Sequence, residues 1–242
     1  MAEQEVIKHT KKIFRVVSNK EHGFWQKLKE FLIEVFIIVF AISLSIWFHN
    51  KSEHAGQQED VKQFLLGLKS DLQSDLKEMQ NDKESYLMQK VIFSYITNVK
   101  LNQPLNNDTL HKYGNWIFNT TALNPNNGRF EGFRSSGKIG EIENPELQND
   151  IMDLYQENIV SLLTSTDAYI NTKRKFFDYI DEHMKRLSDS TTNMSTMLTQ
   201  DQAYNICIKL KAPQEVLERY DKCIAKMKKI IVEIDEEYGL AK

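Results

Sequence analysis

The longest uniform stretch of apolar positions runs from Phe31 to Phe48 and reads FLIEVFIIVFAISLSIWF, with Glu34 as its single charge. At about 1.5 Å per residue these positions predict a helix of roughly 27 Å, close to the ~30 Å hydrocarbon thickness of a bilayer. Trp25 and Trp47 flank the run and stand about 33 Å apart along a helix, as aromatic anchors near two interfaces do. A core helix of a soluble protein normally carries a polar stripe, and Val35 to Ile42 shows none. A cleaved signal peptide fits less well than an uncleaved signal anchor. The run starts only after 30 residues, and His49, Asn50, Lys51, Ser52, Glu53 and His54 lack a small-x-small cleavage pattern.

Beyond the span, apolar residues recur in steps of three and four. Val61, Phe64, Leu65, Leu68, Leu72, Leu76, Met79, Tyr86, Leu87 and Val91 predict one helix over 55–100, able to continue directly from the span. Asn102, Gln103 and Pro104 stop it. Asp108 is the expected cap of a short helix through Leu110, Tyr113, Trp116 and Ile117. A loop is expected from Asn119 to Gly132, with Pro125 and the turn pair Asn127–Gly128. Asn144–Pro145–Glu146 reads as cap and first turn of a second long helix, periodic from Ile151 to Leu187. Ser188 to Thr199 reads as loop. Thr199 or Asp201 opens a short helix to Leu210, and Pro213 opens the last, with Val216, Leu217, Tyr220, Ile224, Met227, Ile230, Ile231 and Ile234 on one face. The expected class is all-α: one N-terminal transmembrane helix followed by an elongated antiparallel helical bundle, with coiled-coil-like stripes. A dimeric bundle satisfies the same stripes.

Positive charge orients the span. Lys11, Lys12, Arg15, Lys20, Lys27 and Lys29 precede it, against Lys51 and Lys62 after it. The expected topology is a basic cytoplasmic tail over 1–30, a transmembrane helix over 31–48 and a helical domain over 49–242 outside, in a bacterium the periplasm. The tail interleaves cations with Ile13, Phe14, Val16, Val17, Phe24, Trp25 and Leu28. It reads equally as an interfacial amphipathic helix on anionic lipid or as a solvated tail.

Within the span, Glu34 is expensive in hydrocarbon and must snorkel, pair with a neighbouring helix or serve a proton relay. Ala41 and Ser45, with Ser43 between them, have the small-residue spacing that lets helices approach closely. Together these residues point to an integral membrane partner or a second copy of the chain.

Composition narrows the function classes. The net charge of −3, from 31 Lys and Arg against 34 Asp and Glu, gives no nucleic-acid-binding footprint. Nine glycines and four prolines favour long helices over sandwiches and wound sheets. Gly132 to Lys138 matches G-x4-G-K, but Ile139 stands where a P-loop needs Ser or Thr for magnesium, and no buried strand precedes it. Short helix and turns packing Phe133 and Ile139 are the expected structure there. His9, His22, His49, His54, His111 and His183 form no metal-ligand spacing, though His49 and His54 sit together at the span's exit. Cys207 and Cys223 lie on either side of a turn, offset by roughly 9 Å along the helix axis, and both a bridge and buried free thiols stay open. No catalytic constellation, metal site or cofactor motif is legible, and the chain is expected not to be an enzyme.

The basic tail, Glu34 early in the span, Trp47 and Asn50 at its exit, LKSDL at Leu68–Leu72 and the stretch FRSSGKIGEIENPELQNDIMDLYQ from Phe133 to Gln156 resemble an uncharacterised family of single-pass membrane proteins common in Bacteroidota. The fit is carried by Ser135, Ser136, Gly137, Ile142, Asn144, Glu146, Leu147, Ile151 and Tyr155, with Phe133 just before them. The chain departs from the pattern at Lys138-Ile139-Gly140. The resemblance covers about residues 25–180. It implies a Gram-negative inner membrane and an all-helical soluble part, with Phe133 to Leu147 as a turn motif of the bundle. It implies no reaction. The sequence therefore leads to two expectations. One is a membrane-anchored scaffold or accessory subunit; the other is a sensory or ligand-binding bundle that signals through a partner.

Overall fold

A computed structural model describes Lys11, residues 24–189 and residues 191–240. The expected amphipathic tail falls largely outside the described residues, as do His9 and His22. The chain divides into two units, Met1–Asp60 and Val61–Lys242. That boundary lies twelve residues beyond the expected end of the span. From Lys51 to Asp60 the chain offers polar side chains with no apolar stripe, and Val61 is the first residue of the core.

All regular structure among the described residues is helical. The first helix, α1, runs without interruption from Phe24 to Asn98. It joins the span to the long amphipathic stretch in one piece, and the breakers at 102–104 follow its end. Asn102 there adopts a left-handed backbone, φ 63°, a conformation asparagine tolerates better than most residues. The part of α1 in the first unit is long and apolar enough to cross a membrane, with 6% of its most apolar window buried. Phe36, Phe40 and Trp47 are 68%, 57% and 55% exposed. A soluble core helix would bury them, so that reading of the span is set aside.

In the second unit, α2 (Asn107–Lys112) and α3 (Gly114–Phe118) replace the single short helix expected. The cap is Asn106 rather than Asp108: its side chain accepts from the Thr109 backbone N–H at 2.9 Å. Asp108 instead occupies the first turn, where a carboxylate suits the helix dipole. The expected loop to Gly132 ends at Asn127, because Gly128–Ser135 forms α4. A 3-10 turn, Lys138–Glu141, follows.

Asn144 caps α5 (Pro145–Asp153) as the sequence predicts, accepting from the Glu146 and Leu147 N–H groups. A π turn, Leu154–Asn158, joins it to α6 (Ile159–His183). The widened turn frees a carbonyl, and Asn158 Nδ2 donates to Asp153 O at 3.0 Å. The helix stops at His183, not Leu187. Asn193 holds its end, donating to His183 O at 3.2 Å and accepting from the Lys185 N–H at 2.7 Å. Then come α7 (Met194–Met197), α8 (Asp201–Leu210) and α9 (Gln214–Glu237).

One apolar core gathers these helices. Leu68, Leu72 and Met79 of α1 are buried in it with Leu162 and Phe176 of α6 and Tyr220, Met227 and Ile230 of α9. At its edge Phe64 stacks on Phe133 with centroids 3.9 Å apart, and Phe130 stacks on Tyr155 at 4.3 Å. Ion pairs join Lys69 to Asp235 and Lys83 to Asp221. Asp150 takes Lys226 at 2.6 Å and Lys229 at 2.7 Å. Burial pushes the Asp150 carboxyl up, but hydrogen bonds from the two lysines outweigh it and hold the group below the usual carboxylate range.

Candidate functional site

Residues in the span were expected to meet a partner. Ala41, Ser43 and Ser45 are exposed on α1. Glu34 is not: it is 7% exposed and engaged in an interaction. Of the four, the three small residues are the accessible ones. At Trp47, expected as an interface anchor, the Lys51 ammonium lies 5.3 Å from the ring centroid. Trp25, the other anchor, is 79% exposed.

The Ser-Ser-Gly stretch acts as a local turn. Ser135 Oγ donates to Gly132 O at 3.1 Å and Ser136 Oγ to Phe133 O at 2.7 Å. Gly137 takes φ 78°, a left-handed value that favours glycine. Phe133 and Ile139 pack on the core, and Leu147 is fully buried. This is the structure expected in place of a phosphate loop.

Two features escaped the sequence reading. The first is a row of carboxylates on α1. Asp71, Asp75, Glu78 and Asp82 are spaced four, three and four, which sets them on one helix face. Each accepts from the segment that returns along α1 after α3. Arg129 Nε donates to Asp71 at 2.9 Å, the Asn126 N–H and Nδ2 donate to Asp75 at 3.1 and 2.5 Å, the Asn124 N–H donates to Glu78 at 2.8 Å, and the Thr121 hydroxyl donates to Asp82. The irregular strap 119–127 has no strand partner, so these side chains satisfy its backbone donors. Burial raises the Asp75 carboxyl above its ordinary value, the bonds from Asn126 oppose this, and Glu78 and Asp71 add to the rise.

The second is a polar chamber beneath the strap. Lys173 sits on α6 between Tyr169 and Phe176, at a core position, and is 0% exposed. Its ammonium donates to Gln89 Oε1 at 2.7 Å and to Trp116 O at 3.2 Å, and lies 4.7 Å from the Phe93 ring centroid. Burial drives its pKa down to about 7, with Cys207 nearby opposing the fall. The Tyr169 hydroxyl lies 3.0 Å from Leu210 O and 3.3 Å from Gln89 Oε1, its single proton shared between them. Tyr86 donates to Thr121 O at 2.6 Å and Tyr220 to Asp82 at 3.0 Å. Gln89 Nε2 and Asn119 Oδ1 are buried without a hydrogen-bond partner. A narrow gap, too small for a water molecule, lies between Tyr86, Gln89, Tyr169, Lys173 and strap residues 119–121.

Cys207 and Cys223 are buried free thiols, and burial pushes them up to about 12 and about 11. Among the described residues no group of three or more His, Cys, Asp or Glu is placed to hold a metal ion.

No family model matches the chain, and neither a curated protein nor a solved structure similar to it is found.

Proposed function

We propose that this protein is a non-enzymatic scaffold or accessory subunit anchored in a bacterial inner membrane, with residues 1–30 cytoplasmic and 49–242 periplasmic. One observation carries the reading: the apolar run Phe31–Phe48 is exposed almost throughout, with small residues Ala41, Ser43 and Ser45 open on it. Water would penalise that surface, while lipid or a partner helix accepts it. The excess of Lys and Arg before the span supports the orientation. The resemblance to single-pass membrane proteins of Bacteroidota points the same way. We further propose that the helices of the second unit pack as an antiparallel bundle. Support comes from Lys69–Asp235 and Lys83–Asp221, whose numbers rise on α1 as they fall on α9.

The test is co-purification of the tagged full-length chain in mild detergent. Ala41→Leu with Ser45→Leu places bulk on the small-residue face, and Glu34→Leu removes the carboxylate. Loss of a membrane protein recovered with wild type, or of a differently tagged second copy, is the expected result. Unchanged recovery of every companion refutes the partner reading.

The polar chamber favours a second reading, a ligand-binding bundle that signals through a partner. A buried amine with neutral acceptors only is an unusual way to fill a core, and it is a natural way to hold a ligand.

A further inference from the structure

We propose that the chamber between Gln89, Asn119, Tyr169 and Lys173 binds one small monovalent anion, of the size of chloride or formate, admitted by displacement of the strap at Asn119–Thr121. The inference rests on the ligand-binding reading and is independent of the partner reading.

The argument begins with hydrogen-bond accounting. An ammonium has three N–H donors, and Lys173 spends two of them, on the neutral oxygens of Gln89 and Trp116. A fully buried cation normally has a counter-charge, because desolvation costs it several kcal/mol. The groups facing this one from the elements around it are Tyr86 on α1, Tyr169 on its own helix and Cys207 on α8. All three are pushed up by burial and stay neutral near pH 7. Asp82, a buried carboxylate of α1, is engaged by Thr121 and Tyr220.

Gln89 supplies the second observation. Lys173 donates to its Oε1 at 2.7 Å, and the Tyr169 hydroxyl, whose one proton is shared with Leu210 O, lies 3.3 Å away. The ammonium fixes the amide's orientation, so the partnerless atom is Nε2, a donor. Gln89 is 1% exposed and lines the chamber. Asn119 lines it too, and its Oδ1 has no partner either. Positive charge and an orphan amide donor face one small space, which is the donor set of an anion site.

Size and entry follow from the walls. One cation selects one negative charge, and the space between Tyr86, Tyr169 and Ile170 is too narrow for a water molecule in this closed arrangement. Chloride and formate are both larger than water, so a wall must move outward to admit either. The strap is the wall without regular structure, held by side-chain bonds instead of a ladder. Lys173 gains charge as pH falls through about 7. Anion affinity therefore drops by roughly 10- to 100-fold between pH 6 and pH 9.

Thermal unfolding of the full-length protein in detergent tests this. Sodium chloride or sodium formate is titrated against sodium gluconate at constant ionic strength, gluconate being too bulky for the chamber. The expected result at pH 6 is a saturable rise in Tm with chloride, formate or both, much weaker at pH 9. Lys173→Met removes the charge and keeps the volume, and it should abolish the rise. Gln89→Glu supplies an internal counter-ion and should abolish it as well. Equal Tm for wild type in all three salts overturns the proposal, as does an undiminished rise in folded Lys173→Met. Either negative leaves the co-purification result to judge the partner reading separately.

Discussion

Phe40 is 57% exposed and Lys173 is fully buried, so the two units treat polarity in opposite ways. The first unit carries apolar side chains on the outside of α1. The second carries a lysine, Gln89 and Asp82 inside. Hydropathy alone would place each residue wrongly. What decides is the local alternative. Phe40, on a helix with 6% of its most apolar window buried, suits lipid or another protein better than water. Lys173 is tolerable only because Gln89, Trp116 and the Phe93 face receive its amine, and because deprotonation near neutrality relieves the remaining cost. The chain thus contains two surfaces whose surroundings matter more than their composition, and each can be broken separately.

The largest effect is expected in the span. Phe36 and Phe40 stack on one face with centroids 6.0 Å apart. Replacing both with lysine costs about 2.5–3.5 kcal/mol each near the centre of a bilayer. The double variant should leave the membrane pellet after alkaline carbonate extraction, while wild type stays. Retention of the variant would show that the exposed run does not hold the protein in lipid.

Next comes Lys173→Met. The folded pKa of Lys173, about 7, lies below the ordinary 10.5 of lysine. Between those values the unfolded chain binds more protons than the folded one, so stability rises with pH from about 7 to 10.5. The penalty is fully present at and below neutrality and is on the order of a few kcal/mol. Methionine removes it but leaves Trp116 O short of a donor, a cost of about 1 kcal/mol. The variant should therefore be more stable than wild type by about 1–3 kcal/mol at pH 7 and no more stable at pH 10. Denaturant midpoints at the two pH values measure this. A variant less stable than wild type at pH 7 would mean that the amine's bonds outweigh its desolvation.

How far these features were legible depends on what kind of signal each leaves. The apolar stretch is a run of one polarity, and Asn144–Pro145 combines a cap with a fixed φ, so both signals are local, and a long apolar helix and the Asn144 cap are found where expected. The cap of α2 was misplaced by two residues because Asn106 and Asp108 are both good caps, and only the Thr109 N–H distinguishes them. Lys173 did leave a trace. It falls four after Tyr169 and three before Phe176, on the apolar stripe, where a lysine is out of place. The row Asp71, Asp75, Glu78, Asp82 has helix-face spacing too, but a solvated face looks the same. What made it a binding row was the strap, and a segment that returns 39 to 58 residues later to satisfy its own polar groups leaves no periodic mark. The π turn was equally silent, since Ile151, Leu154, Tyr155 and Ile159 keep helical steps across it.

The smallest effect, and the sharpest probe of the carboxylate row, is at Gly67. A Cβ built there would lie 2.4 Å from Arg129 Cζ, so the guanidinium passes over the bare backbone of α1 to reach Asp71. Two terms oppose each other in Gly67→Ala. Alanine in a helix interior gains about 0.5–1 kcal/mol over glycine. Displacing Arg129 weakens a pair whose side chains are 46% and 25% exposed, and such pairs contribute about 0.2–1 kcal/mol. The guanidinium is the far end of a flexible chain and can shift, so the net change should fall within about 0.5 kcal/mol of zero. In an Arg129→Ala background the conflict disappears, and the same substitution should stabilise by the full helical gain. If Gly67→Ala instead costs more than about 2 kcal/mol in the wild-type background, the pair is worth more than a surface ion pair. Arg129 would then be what fastens the end of the strap to α1.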